Sequence, residues 1–221
     1  MSIDPSRTVA ELVLERPARA RALEELGLDY CCGGKTPLSE ACDTRGLAVD
    51  DALAALEAVA DAPTDERDWT AAPLAELCDH IVTEHHDRLR QELPRLDGLL
   101  EKVVRAHGEE RPSVIELRDT FKILRGELEE HLAAEEDDLF PLVRVGGPYD
   151  AEQVRELEHD HEWAGSALAR MRALTDGYDL DQAMCNTHRA TLDGLHELER
   201  DLHQHIHEEN NVLFPRALAA A

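Results

Sequence analysis

Apolar residues recur every three or four positions through four long stretches of the chain, which is the period of amphipathic helices. The stretches are residues 73–107, 113–146, 150–177 and a last segment from about 181 or 187 to the C-terminus. The connections between them are short, so neighbouring helices are expected to be antiparallel. The pattern predicts an all-α fold with an up-down-up-down four-helix bundle.

Capping residues and a proline mark the boundaries of these helices. Ser113 and Glu116 have the spacing of a capping box, which would open the second helix. Asp150, with Gln153 three residues later, would open the third helix in the same way. Pro94 lies inside the first helix, where a proline is expected to cause a kink.

The N-terminal part of the chain carries shorter helical segments. Thr8 begins a capping box, and Thr36 is expected to cap a later helix that has Pro37 in its first turn. The polar, proline-bearing residues that follow read as a linker. The predicted organisation is a small helical domain at 1–60, a linker at 61–72 and the bundle at 73–221.

The second and fourth long helices contain the same motif. Residues 131–141 read HLAAEEDDLFP and residues 205–215 read HIHEENNVLFP, so both follow H-x-x-x-E-x-x-x-L-F-P at a separation of 74 positions. The first and third helices carry His86 and His161, 75 positions apart. The bundle is therefore predicted to contain two copies of a helix hairpin with equivalent special residues.

Helical phase indicates which of the neighbouring histidines point inward. His161 shares its face with Val154 and Leu168, whereas His159 lies among polar residues. The third helix is therefore expected to direct His161 into the core and His159 into solvent.

Phase is less decisive for the other helices. His86 has a row of leucines along its side, but His85 also has apolar neighbours, so phase alone leaves the choice between them open. On the last helix His205 shares a side with apolar residues. His203 and His207 lie among polar residues and are expected to be solvated.

Six polar side chains are thus predicted to converge inside an otherwise apolar bundle. They are His86, His131, Glu135, His161, His205 and Glu209. One interpretation is that these are buried polar residues that pair with one another. The other is a metal site, because buried carboxylates are costly, neutral imidazoles cannot neutralise them, and a dication can.

The composition of this set indicates the metal. Four imidazoles and two carboxylates exceed the needs of one tetrahedral zinc, and the set contains no thiolate. Two octahedral ions fit better, with both glutamates bridging and oxide, hydroxide or water completing each shell. Ligands of this kind favour iron first and manganese second. Open positions on such ions would bind small ligands such as O₂ or NO.

Several motifs resemble those of a known family. The H-x-x-x-E pairs before LFP, the HEWAG at 161–165 and the ENNVLFPRAL near the C-terminus resemble the hemerythrin-like di-iron domain. The DYCCGG at 29–34 resembles the N-terminal signature of the iron-sulfur cluster repair di-iron proteins. This resemblance covers nearly the whole chain. It implies that the six residues named above are the di-iron ligands, with His86 chosen over His85, and that the protein repairs iron-sulfur clusters damaged by nitric oxide or oxidants.

The adjacent Cys31 and Cys32 allow two interpretations. They are either small buried residues in a glycine-rich turn or a reactive thiol pair near the start of the Pro37 helix, whose dipole would lower a thiol pKa. The resemblance favours a role in redox chemistry or iron exchange. The remaining cysteines have no partner by spacing and are interpreted as structural; they are Cys42, Cys78 and Cys185.

The acidic balance of the chain restricts its partners and its compartment. A net charge of −25 argues against binding to nucleic acid or to anionic membrane surfaces. No apolar run approaches the roughly 18–20 residues that cross a bilayer, and the N-terminus has no secretory apolar segment. Five cysteines without a spaced framework indicate reduced thiols, hence the cytoplasm. The sequence leaves a homodimer open.

Three functions are compatible with these features. The first is iron donation to damaged iron-sulfur proteins, with NO chemistry at the same centre. The second is an enzymatic reduction of NO to N₂O, and the third is a hemerythrin-like carrier or sensor of O₂ or NO. The cysteine pair counts against a simple carrier, which has no evident use for reactive thiols.

Overall fold

The structure is a computed structural model that describes residues 3–59, 67–147 and 150–220. Every regular element in these ranges is helical, and an isolated antiparallel bridge joins Thr8 to Pro37. The all-α prediction is therefore confirmed. None of the helices in the described part of the chain combines the length and apolar character needed to span a membrane.

In the described residues of the N-terminal part there are four short helices, and longer helices follow. The short helices are α1 (Val9–Glu15), α2 (Arg19–Leu26), α3 (Leu38–Arg45) and α4 (Val49–Ala58). The later helices are α5 (Leu74–Ile81), α6 (Asp87–His107), α7 (Ser113–Ala134), α8 (Phe140–Val145), α9 (Ala151–Leu174), α10 (Asn186–Glu208) and α11 (Phe214–Ala220). Among the described residues, three π-helical turns join successive helices without a break: π1 (Val82–His86), π2 (Glu135–Leu139) and π3 (Glu209–Leu213). The four long helices predicted from the hydrophobic pattern are thus α5–α6, α7–α8, α9 and α10–α11.

The chain divides into two compact units. One unit comprises residues 78–202, and the other comprises the residues up to Leu77 together with His203–Ala220. In the first of these, α6, α7, α9 and α10 bury rows of apolar side chains against one another, which confirms the four-helix bundle. The core includes Leu89, Leu93, Leu96, Leu100, Phe121, Leu124, Leu128, Leu168, Met171, Leu195 and Leu202.

The other unit has its own apolar core, formed by the N-terminal helices. Its buried side chains include Val9, Leu12, Val13, Leu23, Leu28, Tyr30, Leu38, Cys42 and Leu56. The capping box at Thr8 is present, since Thr8 accepts from the Glu11 N–H and Glu11 accepts in return from the Thr8 N–H. Of the predicted linker 61–72, residues 61–66 lie outside the described residues, and no helix occurs in 67–72.

Two predicted caps are wrong. Pro37, not Thr36, is the N-cap of α3, because the Thr36 carbonyl instead accepts a hydrogen bond of 3.0 Å from the Val9 N–H. Ser113 is the first residue of α7 and follows an N-cap at Pro112 that lacks a side-chain cap. Its expected partner Glu116 accepts a hydrogen bond of 2.9 Å from Arg170 Nε on α9.

Other boundaries agree more closely with expectation. Asp150 caps α9 by accepting from the Glu152 N–H at 2.9 Å. The same helix ends at Leu174, three residues before the predicted stop at Gly177. Pro94 lies inside α6, and the helix continues through it. The irregular turn of the long α5–α6 helix is π1, which precedes α6.

Candidate metal centre

Each π-helical turn begins or ends at a predicted ligand. His86 is the last residue of π1, Glu135 the first of π2 and Glu209 the first of π3. In π2 the Phe140 N–H donates to the Glu135 carbonyl, five residues back, instead of four. Turns of this kind are rare and occur frequently at functional sites.

The LFP motif explains why two of these turns form. Pro141 and Pro215 are each the second residue after the end of a π turn. In a regular α-helix a proline ring collides with the carbonyl four residues before it and lacks the N–H that would bond that carbonyl. Widening the preceding turn by one residue relieves this conflict. The repeated H-x-x-x-E-x-x-x-L-F-P pattern therefore encodes a helical ligand pair followed by a widened turn.

Residues 78–202 bring four of the six predicted ligands together. Glu135 Oε2 lies 3.4 Å from His86 Nε2, and Glu135 Oε1 lies 3.6 Å from His131 Nε2. His131 Nε2 lies 3.0 Å from His161 Nε2. All four side chains are buried. The phase prediction for His161 agrees with this placement, and His159 is 80% exposed as expected.

Glu135 has the environment of a metal ligand. Its side chain is fully buried, and neither carboxylate oxygen accepts a hydrogen bond from any residue that the structure describes. A buried carboxylate in that condition is strongly unfavourable unless a cation compensates it. The nearest candidate partners are imidazole nitrogens that can share such a cation. The donor set therefore fits a bound divalent metal.

Outer carboxylates orient two of the imidazoles. His86 Nδ1 lies 2.6 Å from Glu136 Oε1, and His131 Nδ1 lies 3.3 Å from Asp160 Oδ2. A proton on each Nδ1 leaves the Nε2 lone pair directed towards Glu135, which is the arrangement of metal-binding histidines. Burial raises the pKa of Glu136, but hydrogen bonds from His86 and Arg90 outweigh it and hold that pKa below its ordinary value. Neither Glu136 nor Asp160 is predicted from the sequence, although Glu136 directly follows one predicted ligand and Asp160 directly precedes another.

The C-terminal pair lies in the other unit. His205 Nε2 is 3.0 Å from Glu209 Oε1 on the next helical turn, and both side chains are buried. The spacing of four residues on one helix brings them together, as the sequence pattern predicts. The same spacing relates His131 to Glu135 in the first copy of the motif.

Two neighbouring histidines differ from expectation, and a third is buried beside the site. His207 is buried and His203 is partly buried, so the prediction that both are solvated is wrong. Their face of the helix is covered by Tyr30, whose ring contacts both imidazoles edge-on. Burial lowers the pKa of His207, although its hydrogen bond to the Tyr30 backbone acts in the opposite direction. His85 is also buried, with Nδ1 at 3.2 Å from Asp201 Oδ1.

The cysteine pair lies in a short loop before α3. Cys31 Sγ and Cys32 Sγ are 4.0 Å apart and form no disulfide, and Asp29 Oδ1 accepts from the Cys31 N–H at 2.9 Å. The ligand atoms of these three side chains lie within 4.8 Å of one another. The hydrogen bond with Cys32, burial and the charge of Asp29 raise the pKa of Cys31 well above its usual value. The predicted lowering by the helix dipole is therefore wrong for Cys31.

The other cysteines belong to other segments of the chain. Cys42 and Cys78 are fully buried. Cys185 has a partner that sequence spacing could not reveal, since its Sγ is 3.2 Å from His107 Nε2. It also accepts from the His188 N–H at 3.4 Å, directly before α10. Such a contact suits a helix-capping residue.

Comparison with known proteins gives matches over both parts of the chain. The family model described as the hemerythrin HHE cation binding domain matches residues 77–217, and the ScdA_N model, a domain of unknown function, matches residues 5–60. The chain is 39% identical over 213 residues to the iron-sulfur cluster repair protein YtfE of Pectobacterium carotovorum, which covers 96% of each chain. The protein of the same name from Escherichia coli is equally similar, and that from Dickeya chrysanthemi is 37% identical.

Proposed function

The chain belongs to the family of iron-sulfur cluster repair proteins with a hemerythrin HHE cation-binding domain, and from this premise we propose that it repairs damaged iron-sulfur clusters by donating iron held in its bundle. Its relatives are named iron-sulfur cluster repair proteins, and the chain matches 96% of their length. The buried carboxylate of Glu135, flanked by imidazole nitrogens, is the observation that carries the proposal.

We further propose that six residues hold two iron ions. They are His86, His131, Glu135, His161, His205 and Glu209, which would supply four imidazole and two carboxylate ligands. The internal repeat supports this set, since each copy contributes one H-x-x-x-E pair and one further histidine. The hemerythrin match also spans all six positions. Iron in such a site would supply open positions for small ligands such as NO and O₂.

The proposed ligands are suited to binding iron and then releasing it. Four neutral imidazoles and only two carboxylates compensate the charge of two dications incompletely, so an iron ion is held less firmly than in a carboxylate-rich cage. Glu136 and Asp160 keep protons on the Nδ1 atoms and thus keep Nε2 available for binding. We propose the Cys31–Cys32 loop as the place where iron is exchanged and the cytoplasm, which keeps thiols reduced, as the compartment.

The test is repair of a cluster enzyme that has been inactivated with NO. The ferrous protein should restore its activity faster than free ferrous ion at the same concentration. The double variant Glu135→Ala/Glu209→Ala should lose this advantage, whereas His159→Ala should retain it because His159 is exposed. Recovery no better than with free iron would refute donation.

Two further experiments test the role of the cysteines and the alternative function as an NO-reducing enzyme. The Cys31→Ser/Cys32→Ser variant should keep its iron and lose repair. Gas analysis during incubation with NO and a reductant should find no catalytic release of N₂O. Sustained N₂O formation would assign NO reduction to the protein instead.

A further inference from the structure

Three side chains form a row along α10 and π3, beside the proposed ligands His205 and Glu209. His203, His207 and Asn211 follow one another at intervals of four residues and so share one face. This is the face that the polar pattern of the sequence assigns to solvent. In the structure the loop of residues 30–34, which contains the cysteine pair, packs against it. We call these three residues the docking row.

The docking row binds the backbone of the loop directly. His207 Nδ1 lies 3.0 Å from the Tyr30 carbonyl, so this nitrogen carries the proton and donates it. Asn211 Nδ2 donates to the Cys31 carbonyl at 3.1 Å. The Tyr30 ring adds edge-on contacts with His203 and His207, at centroid distances of 6.1 and 5.4 Å. Hydrogen bonds to two successive carbonyls fix the path of the chain on both sides of Cys31.

A glycine on the loop permits this close approach. A Cβ added to Gly34 would lie 2.6 Å from Asn211 Oδ1 and 2.7 Å from the Tyr30 carbonyl oxygen. Both distances are too short for a real contact, so any side chain at this position would push the loop away from Asn211. The close contact between loop and helix therefore depends on two residues. Asn211 supplies the amide on the helix, and Gly34 on the loop has no side chain to obstruct it.

The other copy of the repeat shows that the docking row is not needed for the helical ligand pair itself. The positions equivalent to His203, His207 and Asn211 are Glu129, Ala133 and Asp137. All three are exposed, although the adjacent His131 and Glu135 are buried as in the other copy. The docking row is thus present only beside the second copy of the motif, residues 205–215, which is the copy that packs against the cysteine loop.

We propose that His203, His207 and Asn211 are positioning residues that hold the Cys31–Cys32 loop against the end of the helix that carries His205 and Glu209. Asn211 belongs to π3, the turn that starts at Glu209, so one turn supplies both a proposed ligand and the hydrogen bond to Cys31. The π3 turn therefore links the proposed ligand Glu209 directly to Asn211, which binds the cysteine loop. The role in iron exchange rests on the proposed function.

The experiment uses the full-length, iron-loaded protein and perturbs the contact from each side. Asn211→Leu keeps the branched shape and the number of heavy atoms of the side chain but removes its donor, and Gly34→Ala adds the obstructing Cβ. Asp137→Leu makes the same kind of change at the equivalent exposed position and is the matched control. Three quantities are measured: iron per chain, the alkylation rate of Cys31 by iodoacetamide resolved by mass spectrometry, and repair of the NO-damaged enzyme.

We expect Asn211→Leu and Gly34→Ala to retain their iron and to alkylate at Cys31 about fivefold faster or more, the factor that the loss of one hydrogen bond allows. Repair should fall about tenfold or more, as expected when a reacting group is displaced by about an ångström. Asp137→Leu should match the wild type in all three measurements.

Two results would overturn the proposal. One is an unchanged alkylation rate in both loop variants, and the other is faster alkylation with undiminished repair. If the wild-type protein itself fails to repair the enzyme, the proposed function fails, and the alkylation comparison alone decides whether the docking row holds the loop.

Discussion

At the scale of single residues, the proposed centre depends on carboxylates with different roles. Glu135 is fully buried between two imidazole nitrogens, whereas Glu136 and Asp160 lie behind the imidazoles and bind their Nδ1 atoms. Glu136 is itself held by Arg90, whose Nη2 donates to it at 2.5 Å. Fixing an imidazole in this way sets both its tautomer and its orientation.

Removing an outer carboxylate should therefore weaken iron binding. For Glu136→Ala we expect a loss of iron affinity of about 10- to 100-fold, the usual effect of losing an outer hydrogen-bond partner. Competition with a ferrous chelator measures it. Asp138→Ala, an exposed position in the same turn, is the control and should leave the affinity unchanged. Equal affinities of the two variants would contradict the role given to Glu136.

The limits of sequence interpretation are also visible at this scale. Helical phase correctly separates His161 from His159, because the apolar neighbours of each are on the same helix. It fails for His207, because the group that covers it, Tyr30, lies 177 positions away in the chain. A single-helix pattern reports the composition of each face but not which other segment packs on it.

At the scale of elements, the π turns connect sequence to site geometry. The repeat predicts paired ligands, but it gives no direct sign that the helix widens at Glu135 and Glu209. The proline that closes each motif is the signal that could have revealed it. In contrast, the Ser113 cap was predicted from a local pattern that an interhelical contact of Glu116 with Arg170 overrides.

Replacing one of these prolines should disturb the centre. In Pro141→Ala the new N–H can bond the carbonyl four residues back, which makes a regular α-helix accessible and changes the direction of Glu135. We expect weaker iron retention in a chelator challenge. Pro94→Ala, inside α6, should retain iron fully and unfold at higher denaturant, since an interior helix proline is unfavourable. Undiminished retention by Pro141→Ala would contradict this explanation of the π turn.

Close packing of the helices depends on a glycine of α10. A Cβ at Gly194 would lie 2.7 Å from Leu96 Cδ2 and 2.8 Å from Arg95 Nη2. We expect Gly194→Val to lower the free energy of unfolding by about 1–3 kcal/mol through overpacking. Gly98→Ala, which meets open space, should instead raise it by up to about 1 kcal/mol through helix propensity. Urea denaturation compares them, and a neutral Gly194→Val would contradict the close packing proposed at this position.

At the scale of the whole molecule, the fold class and the order of the long helices follow from the hydrophobic period and the internal repeat. The pKa of Cys31 does not, because the hydrogen bond with Cys32, burial and the charge of Asp29 raise it, whereas the helix dipole inferred from the sequence would lower it. The domain limits of 1–60 and 73–221 remain a proposal. The compact units place His203–Ala220 with the N-terminal residues.

Metal should contribute to the stability of the molecule. Without a cation, folding must bury the Glu135 carboxylate uncompensated, so we expect iron removal to lower the free energy of unfolding. A ligand present at 1,000 times its dissociation constant contributes about 4 kcal/mol. Anaerobic denaturation before and after chelation measures the difference. Coincident unfolding curves for the two forms would contradict a metal in the core.

Iron content tests the central claim most directly. After anaerobic reconstitution and removal of loose metal, elemental analysis combined with Mössbauer spectroscopy should find two high-spin ferrous ions per wild-type chain and next to none in Glu135→Ala/Glu209→Ala. A wild-type chain without iron, or a double variant that keeps the full amount, would contradict it.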